Sequence, residues 1–488
     1  MESTHVKAPG SNQGLGAAFR LKSNPLPWRK ALGAPAATLL AVALGLAFGH
    51  LEYGVWAFFG AFTSMYVTGV PYRIRARVLA AVGLGLVASL AVGSATASSP
   101  FALTVGLGLV SGLATFVTVA FDVPLPGSLM FILIAVLGAA LPIHPDLTLL
   151  RTAWAAVGAA IAWVVGMVGA TVHPGRPEQL LLSTLFQDLS QDADREGTGN
   201  PHQRSRATLT AAVRMWRAGC FRSPIARRWL LRAARVYRVL SRDDKRHRAL
   251  AAHLRLVAAQ LRDGDARSLA AARPARFRST APVRLQLRDD GGWLKVFDDR
   301  RFRIKSAFRA GSAARTAAIR TGVAVTLATA LALLLGEAHP YWVPLTVGAI
   351  LQGPTPGVMM DRAVERVVGT ALGLFLAGSL LVLHFGVAVT VALMLVLQFL
   401  LLLVVVRNYA LSVIFITTLA LVVIEGQVHA PLWPLLVARL GNTALGAALA
   451  VAALLLTGSR ERPHAALRVP RPVPSRASPV RHGRREVR

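Results

Sequence analysis

The sequence has little of what a soluble enzyme normally contains, beginning with cysteine and charge. Its 488 residues include one cysteine, Cys220, which excludes an internal disulfide bond and any cysteine-based metal cluster. Charged residues make up only 16% of the chain, whereas 54% are hydrophobic and the mean hydropathy is +0.51. This composition lies outside the range of soluble globular proteins and is typical of polytopic membrane proteins.

Motifs for catalysis and nucleotide binding are also absent. The sequence contains no G-x-x-x-x-G-K-[ST] phosphate loop, so direct use of ATP is not expected. It also has no H-E-x-x-H pair, no nucleophile elbow and no cluster of cysteine and histidine. The sequence therefore predicts a protein that is not an enzyme and that requires neither a cofactor nor a metal ion.

Acidic residues are scarce, which leaves a formal net charge of +31 from 54 basic and 23 acidic residues. Such a charge in a soluble protein would suggest nucleic acid, but the basic residues here avoid the apolar segments. More than half of them lie in residues 173–316, and others lie in the two tails. Basic segments of membrane proteins stay in the cytoplasm. We therefore expect the lipid bilayer as a partner, and no specific nucleic acid.

The apolar runs form two sets of six, with lengths that bracket the roughly 17 to 25 residues needed to span a bilayer. Loops without lysine or arginine alternate with basic ones, which places both termini in the cytoplasm of a protein of the cytoplasmic (inner) membrane. The sequence predicts an all-α polytopic membrane protein in five regions: a disordered cytoplasmic leader (1–34), a first transmembrane repeat of six helices (35–172), a basic cytoplasmic helical domain (173–316), a second transmembrane repeat of six helices (317–457) and a basic, disordered cytoplasmic tail (458–488).

Matching residues recur in the two apolar halves at a nearly constant offset. The pairs Trp56 and Trp342, Arg77 and Arg366, Arg151 and Arg439, and Gly158 and Gly446 are separated by 286 to 289 residues. Such an offset indicates duplication. Because six spans return the chain to the side on which it started, we expect parallel repeats. In each half the second run is the shortest and is interrupted by glycine or proline, a feature typical of a transport site.

Four motifs in the second half together resemble a known family. They are Tyr341-Trp342, Arg366-x-x-Gly369-Thr370-x-x-Gly373, Arg407-Asn408-Tyr409 and Arg439-x6-Gly446. In this order they resemble the fusaric acid resistance protein-like (FUSC) family of aromatic acid exporters, over about residues 317 to 456. The resemblance implies an inner-membrane exporter of aromatic or related organic acids.

Arginines near the predicted outer ends of the two sixth helices are the strongest candidates for a substrate path. A cation inside the bilayer is costly, so Arg151 and Arg439 are expected to face a cavity, where a guanidinium can bind both oxygens of a carboxylate. The alternative is that both extend to the interface and anchor helix tilt. Arg73, Arg77, Arg362 and Arg366 either anchor the cytoplasmic ends of their helices or form a vestibule that concentrates anions.

Other candidates have weaker patterns. Trp56 and Trp342 either stack an aromatic substrate or lie in the aromatic belts at the headgroups. Thr346, Asn408 and Asn442 either form hydrogen bonds between helices or line the path. Proton coupling is assigned to ionisable groups near helix ends, namely Asp122, Glu425 and His429. The small residues Gly369, Gly373 and Gly446 are expected to allow close helix packing.

The preferred functional hypothesis is a secondary exporter of small organic acids, aromatic acids among them, driven by the proton-motive force or the membrane potential. Two alternatives stay open: a passive organic-anion channel, and a non-transport membrane anchor whose basic cytoplasmic domain binds a partner. Besides the organic-acid substrate, we expect a homo-oligomer, such as a dimer.

Overall fold

The computed structural model describes residues 28–66, 70–121, 123, 126–194, 203–217, 224–240, 247–263, 307–309, 311–337, 339–353, 355–383, 385–405, 407–428 and 432–458. Within these ranges every regular element is a helix, and none is a β-strand. The prediction of an all-α protein is confirmed. Cys220, the tail beyond Gly458 and most of the leader lie outside the described residues.

Six helices make up the first half. They are α1 (Trp28–Ala47), α2 (Leu51–Ala61), α3 (Tyr72–Thr96), α4 (Pro100–Ala120), α5 (Leu129–Ala140) and α6 (Thr148–Met167). A short helical turn, Gly169–Val172, continues α6. Helix α1 starts earlier than expected, because Ala31 and Ala34 already pack in the core. The predicted leader therefore ends before residue 34.

Four helices follow in the basic region, and six more make up the second half. The basic region contains α7 (Arg176–Asp194), α8 (Gln203–Arg217), α9 (Pro224–Leu240) and α10 (Arg248–Asp263). The second half contains α11 (Ala313–Leu334), α12 (Trp342–Ile350), α13 (Pro356–Leu381), α14 (Val387–Val404), α15 (Tyr409–Val428) and α16 (Leu432–Gly458).

Seven helices in the described ranges are long and apolar enough to cross a membrane: α3, α4, α6 with its last turn, α11, α13, α14 and α16. Three shorter apolar stretches are Ala31–Ala47, Leu129–Ala140 and Tyr409–Val423. The chain is therefore a membrane protein with several apolar helices. The predicted number of six helices in each half agrees with the structure, but within the described ranges only seven of these twelve helices are long and apolar enough to cross a membrane.

Helices α2 and α12 have only 11 and 9 residues. At about 1.5 Å per residue they extend roughly half of the 30 Å hydrocarbon layer. Helix α2 changes into a 3₁₀-helix, Phe62–Tyr66, and α12 ends before a turn at Gly353, where a Cβ atom would lie 2.7 Å from Met359 Cγ. The glycine and proline residues within the second apolar run of each half had indicated these breaks.

The two halves have the same internal helix pairings. In the first half α6 packs against α2 and α3, and α3 packs against α5; in the second half α16 packs against α12 and α13, and α13 packs against α15. Between the halves, the first helix of each packs against the fourth of the other, in the pairs α11 with α4 and α1 with α14. Duplication and the parallel relation of the halves stay predictions.

Glycines allow the closest of these pairings. A Cβ atom at Gly158 would overlap the Ala57 carbonyl oxygen, and one at Gly446 would lie 2.7 Å from the Val343 carbonyl oxygen. These contacts join α6 to α2 and α16 to α12. Gly369 and Gly373 have the same role between α13 and α15, where added Cβ atoms would lie 2.7 and 2.8 Å from backbone oxygens.

The basic region has its own hydrophobic core, formed by side chains that include Leu185, Phe186 and Trp229. Helix α7 lies at its centre and contacts α8, α9 and α10. Hydrogen bonds between polar side chains connect α7 to α8: Thr208 Oγ1 donates to Asp188 Oδ2 at 2.6 Å, and the buried Ser205 Oγ donates to Asp192. Residues 176–263 therefore contain a helical unit, while its cytoplasmic location stays a prediction.

Candidate functional site

Arg439 lies in the second turn of α16 and points into the protein. Its side chain is 2% exposed, so it does not extend to lipid headgroups. The Nε and Nη1 atoms of Arg439 have no hydrogen-bond partner among the residues that the structure describes. A buried, unpaired guanidinium destabilises a fold by several kcal/mol. Such a group calls for a functional explanation.

Trp342, the first residue of α12, holds this guanidinium from one side. The Cζ atom of Arg439 lies 3.6 Å from the centre of the Trp342 ring, which is a close cation–π contact. The indole is fully buried, so it does not belong to an aromatic belt at the headgroups. Nor does this face of the ring offer room to stack a substrate, because the guanidinium covers it. Trp342 therefore positions Arg439.

Arg366 approaches the same place from α13. It is 3% exposed, and its Nε atom has no hydrogen-bond partner in the described parts of the chain. The positive charges of Arg366 and Arg439 are close enough to repel each other. Of the two interpretations of Arg366, the one in which it anchors the cytoplasmic end of its helix was therefore wrong, because an anchoring arginine would keep its charge in water. One turn earlier on α13, the Arg362 guanidinium lies 5.2 Å from the Tyr409 ring centre.

Both arginines line one narrow pocket, whose other walls are aliphatic. The pocket has room for about one water molecule. Helices α12 and α15 contribute Leu345, Ile416 and Ala420, and α5 of the first half contributes Leu129 and Leu133. Within the described residues, no aspartate or glutamate forms an ion pair with either arginine. The pocket therefore combines two positive charges with apolar walls, and it lies between the two halves.

The matching arginine of the first half, Arg151, has a different environment. Its Nη2 atom donates to the Pro142 carbonyl oxygen at 2.9 Å, and Nη1 donates to Ser94 Oγ at 3.3 Å. The Cζ atom lies 5.6 Å from the Trp56 ring centre, farther than in the second half. Arg151 and Trp56 are both buried, but the guanidinium is mostly satisfied by the protein itself.

Arg73 and Arg77 lie near the start of α3 and are exposed, as expected of residues that anchor a helix end. Arg77 therefore does not reproduce the position of Arg366, although the offset pairs them. Between them, Arg75 donates to the Gly166 carbonyl oxygen at 3.3 Å and stacks on Tyr72. The first half thus lacks a second buried arginine beside Arg151, within the residues described.

The predicted polar residues support the helices around the pocket. Thr346 donates to the Trp342 carbonyl oxygen at 3.2 Å, and its Cβ atom faces Gly446. Asn442 Nδ2 donates to the His339 carbonyl oxygen at 3.1 Å, which connects α16 to the segment before α12. Asn408 Oδ1 accepts from the backbone N–H of Leu411 at 2.8 Å, as a helix N-cap does.

None of the predicted proton-coupling groups can be placed. Asp122 and His429 lie outside the described residues, and Glu425 belongs to α15 without a described side chain. A different ionisable pair lies beside the arginine site: His339 Nδ1 and Tyr341 Oη are 3.0 Å apart. Burial lowers the pKa of the His339 imidazole, which disfavours a further positive charge there.

Sequence reasoning missed the aliphatic walls and the burial of Arg366. Leu129 and Leu133 resemble every other apolar residue of a membrane helix, so no local pattern could identify them. The Tyr341 ring lies next to Trp342, with ring centroids 5.4 Å apart.

The segment that carries Trp342 and both pocket arginines has known relatives. Residues 327–453 match the fusaric acid resistance protein-like family. The resemblance expected from the sequence motifs is therefore confirmed for this FUSC-like segment. It covers α12 to α15, the C-terminal part of α11 and most of α16, whereas α5, which closes the pocket, lies outside it.

A relative extends beyond the FUSC-like segment. The chain is 28% identical to the uncharacterized membrane protein YvaC of Bacillus subtilis (strain 168), over an alignment of 475 residues. This alignment covers 91% of the present chain and 74% of that protein, so both halves and the region between them are included. No solved structure matches the chain.

Proposed function

We propose that this protein is a secondary exporter of small organic acids across the cytoplasmic membrane, aromatic acids among them. The observation that carries the proposal is the pair of buried arginines, Arg366 and Arg439, which face one pocket without an acidic partner in the described part of the chain. An organic anion is the complementary ligand, because its carboxylate forms charge-assisted, bidentate hydrogen bonds with a guanidinium.

The depth of the arginines supports a transport site rather than a surface site. Arg439 follows the first residue of α16 by seven positions, which is about 10 Å along a helix. Arg366 follows the first residue of α13 by ten positions, or about 15 Å. In the predicted topology these two helices start on opposite sides of the membrane. The two guanidinium groups would then meet near the middle of the bilayer, where substrates of secondary transporters bind.

Helices α2 and α12 favour the same conclusion. Short or interrupted helices at corresponding positions of two halves commonly form the binding sites of transporters. Here α12 supplies both Trp342, which holds Arg439, and Leu345 of the pocket wall. Anion export is also energetically favourable, because an interior-negative potential drives each negative charge outward by about 2.3 kcal/mol per 100 mV.

The narrow pocket favours a carrier over an open channel. Aliphatic side chains from both halves enclose the arginines, so an organic acid can enter only after the halves or helices move apart. Alternating access, in which one half rocks against the other, meets this requirement. Arg362, half-buried one turn from Arg366, would attract anions at the predicted cytoplasmic side.

The decisive experiment compares a carboxylate with its neutral isostere in liposomes that contain the purified protein. Benzoate and benzamide have nearly the same shape, and at about pH 8 only benzoate is charged. We expect saturable efflux of benzoate and none of benzamide above the rate of empty liposomes. A membrane potential that is positive outside should accelerate the efflux. Carrier kinetics would appear as saturation and as exchange of labelled for unlabelled benzoate.

Arg315→Ala provides the matched control for removal of a charge, because Arg315 is an exposed arginine near the start of α11. This variant should transport benzoate like the wild type, whereas Arg439→Ala should not. Equal transport of benzoate and benzamide would contradict the proposal. So would unitary currents of channel size in planar bilayers, which would favour the passive channel instead.

Substitution of Trp342 tests its role as the residue that positions Arg439. Cation–π contacts contribute about 0.5 to 2 kcal/mol, which corresponds to roughly 2- to 30-fold in affinity. We expect Trp342→Leu to raise the KM for benzoate by a factor in this range, while Trp342→Phe retains part of the affinity. The measurement is the concentration dependence of efflux. If both variants raised the KM equally, the aromatic face would have no part in holding the guanidinium.

A further inference from the structure

The pocket contains two positive charges and no negative one among its lining residues. Arg366 and Arg439 project into it from different helices, and the rest of its lining is leucine, isoleucine and alanine. Neither arginine forms an ion pair with a described carboxylate, and their mutual repulsion adds to the cost of burial. Arg151 of the first half differs, because Ser94 and Pro142 accept hydrogen bonds from its two terminal nitrogen atoms, although its Nε atom has no partner in the described part of the chain.

Charge balance then distinguishes between classes of organic anion. A monocarboxylate bound between Arg366 and Arg439 neutralises only one of the two positive charges, so one cation stays uncompensated in a medium of low polarity. A ligand with two negative charges neutralises both. Because charges interact strongly where water is excluded, the second negative charge adds substantially to binding.

We infer that the pocket selects a dianion: a compact organic molecule with two anionic groups on an apolar body. This inference rests on the proposed function and specifies its substrate class. Once the helices have moved apart to admit the ligand, each guanidinium binds one anionic group through paired N–H donors, and the aliphatic side chains of Leu129, Leu133 and Leu345 contact its hydrocarbon part. Trp342 fixes the Arg439 end, since its ring lies against that guanidinium.

The test measures competition at zero membrane potential. A potential would drive a dianion harder than a monoanion whatever the binding site prefers, so equal potassium concentrations and valinomycin must remove it. Uptake of labelled benzoate is inhibited by unlabelled benzoate, benzamide, or each of the three benzenedicarboxylate isomers. We expect at least one dicarboxylate to inhibit at a concentration about tenfold or more below that of benzoate. The best isomer will report the spacing of the two guanidinium groups.

Arg366 variants link this preference to the pocket. Arg366→Gln removes one charge and should abolish the advantage of the dicarboxylate over benzoate, while Arg366→Lys should retain much of it. Arg315→Gln removes an exposed charge elsewhere and should leave the advantage unchanged. Should Arg366→Gln fail to fold, the wild-type ratio and the Arg366→Lys ratio decide the question.

The outcomes separate this inference from the proposed function. If benzoate is transported but competes at least as well as every dicarboxylate, the inference is overturned and the exporter proposal stands. A dicarboxylate preference that persists in Arg366→Gln also overturns it. If no carboxylate is transported or bound, both proposals fail together.

Discussion

Arg439→Met is expected to abolish carboxylate export and, in the same protein, to raise its thermal stability. The guanidinium is buried with two nitrogen atoms unpaired in the described structure, and Arg366 repels it. Replacing a buried charge by an apolar side chain of similar volume often stabilises a protein by about 1 to 4 kcal/mol. Removing a buried charged side chain that binds an oppositely charged ligand costs about 2 to 5 kcal/mol of binding free energy, which lowers the affinity by roughly 30-fold or more.

Arg151→Met is the matched control for stability, because the two arginines occupy corresponding places on α6 and α16. Arg151 donates hydrogen bonds to Pro142 and Ser94, so its loss leaves a carbonyl oxygen without its partner. We therefore expect Arg151→Met to lower the unfolding temperature, while Arg439→Met raises it. Opposite changes in the unfolding temperature would show that the buried arginine lowers stability in the second half but not in the first.

Thermal unfolding of the detergent-purified variants, together with benzoate efflux from liposomes, provides the measurement. A stable Arg439→Met protein without efflux is the expected result. If this variant unfolds at a lower temperature than the wild type, the guanidinium has a stabilising partner and is not available for a substrate. Normal efflux from the same variant would remove Arg439 from the transport site.

Gly158→Ala is the second substitution with a large expected effect. The added methyl group would overlap the Ala57 carbonyl oxygen, and this atom belongs to backbone that cannot rotate away. Gly60 makes the reciprocal contact, because its Cβ atom would overlap the Ala155 carbonyl oxygen. Overpacking costs about 1 to 3 kcal/mol when side chains can adjust, and separating α2 from α6 should cost more.

Alanine substitutions at two further glycines serve as controls with less crowding and with none. Gly446→Ala would place the methyl group 2.7 Å from the Val343 carbonyl oxygen and should destabilise less, whereas Gly441 has open space around it. Gly441→Ala should be neutral or slightly stabilising, since alanine favours a helix. The yield of monodisperse protein and its unfolding temperature should be highest for Gly441→Ala, lower for Gly446→Ala and lowest for Gly158→Ala. An unfolding temperature of Gly158→Ala equal to that of Gly441→Ala would show that α2 and α6 are not in close contact.

The sequence predicted the helical membrane class, and it drew attention to two residues of the candidate site. Arg439 and Trp342 were identified because a charge inside an apolar segment and an aromatic residue before a break are rare enough to be informative. Their burial agrees with the expectation that Arg439 turns inward. The pairing of the two residues could not be predicted, because α12 and α16 are almost one hundred positions apart.

Arg366 and Arg77 show where local reasoning fails. In the sequence both lie near the start of an apolar run that follows a loop, so the positive-inside rule treats them alike. Arg366 is nevertheless buried against α16, and Arg77 is exposed. The difference arises from tertiary packing, which a local pattern does not contain. By contrast, an asparagine before a helix is a recognised N-cap, so the capping role of Asn408 was available from the sequence.

One wall of the pocket belongs to a helix outside the FUSC-like segment. Leu129 and Leu133 come from α5, far upstream of residue 327, yet they complete the enclosure around Arg366 and Arg439. A truncated chain that retained only this segment would keep its cations but lose the surface that shields them from lipid and water. A protein that consists of this segment alone must therefore obtain the missing wall of the pocket from a second polypeptide chain.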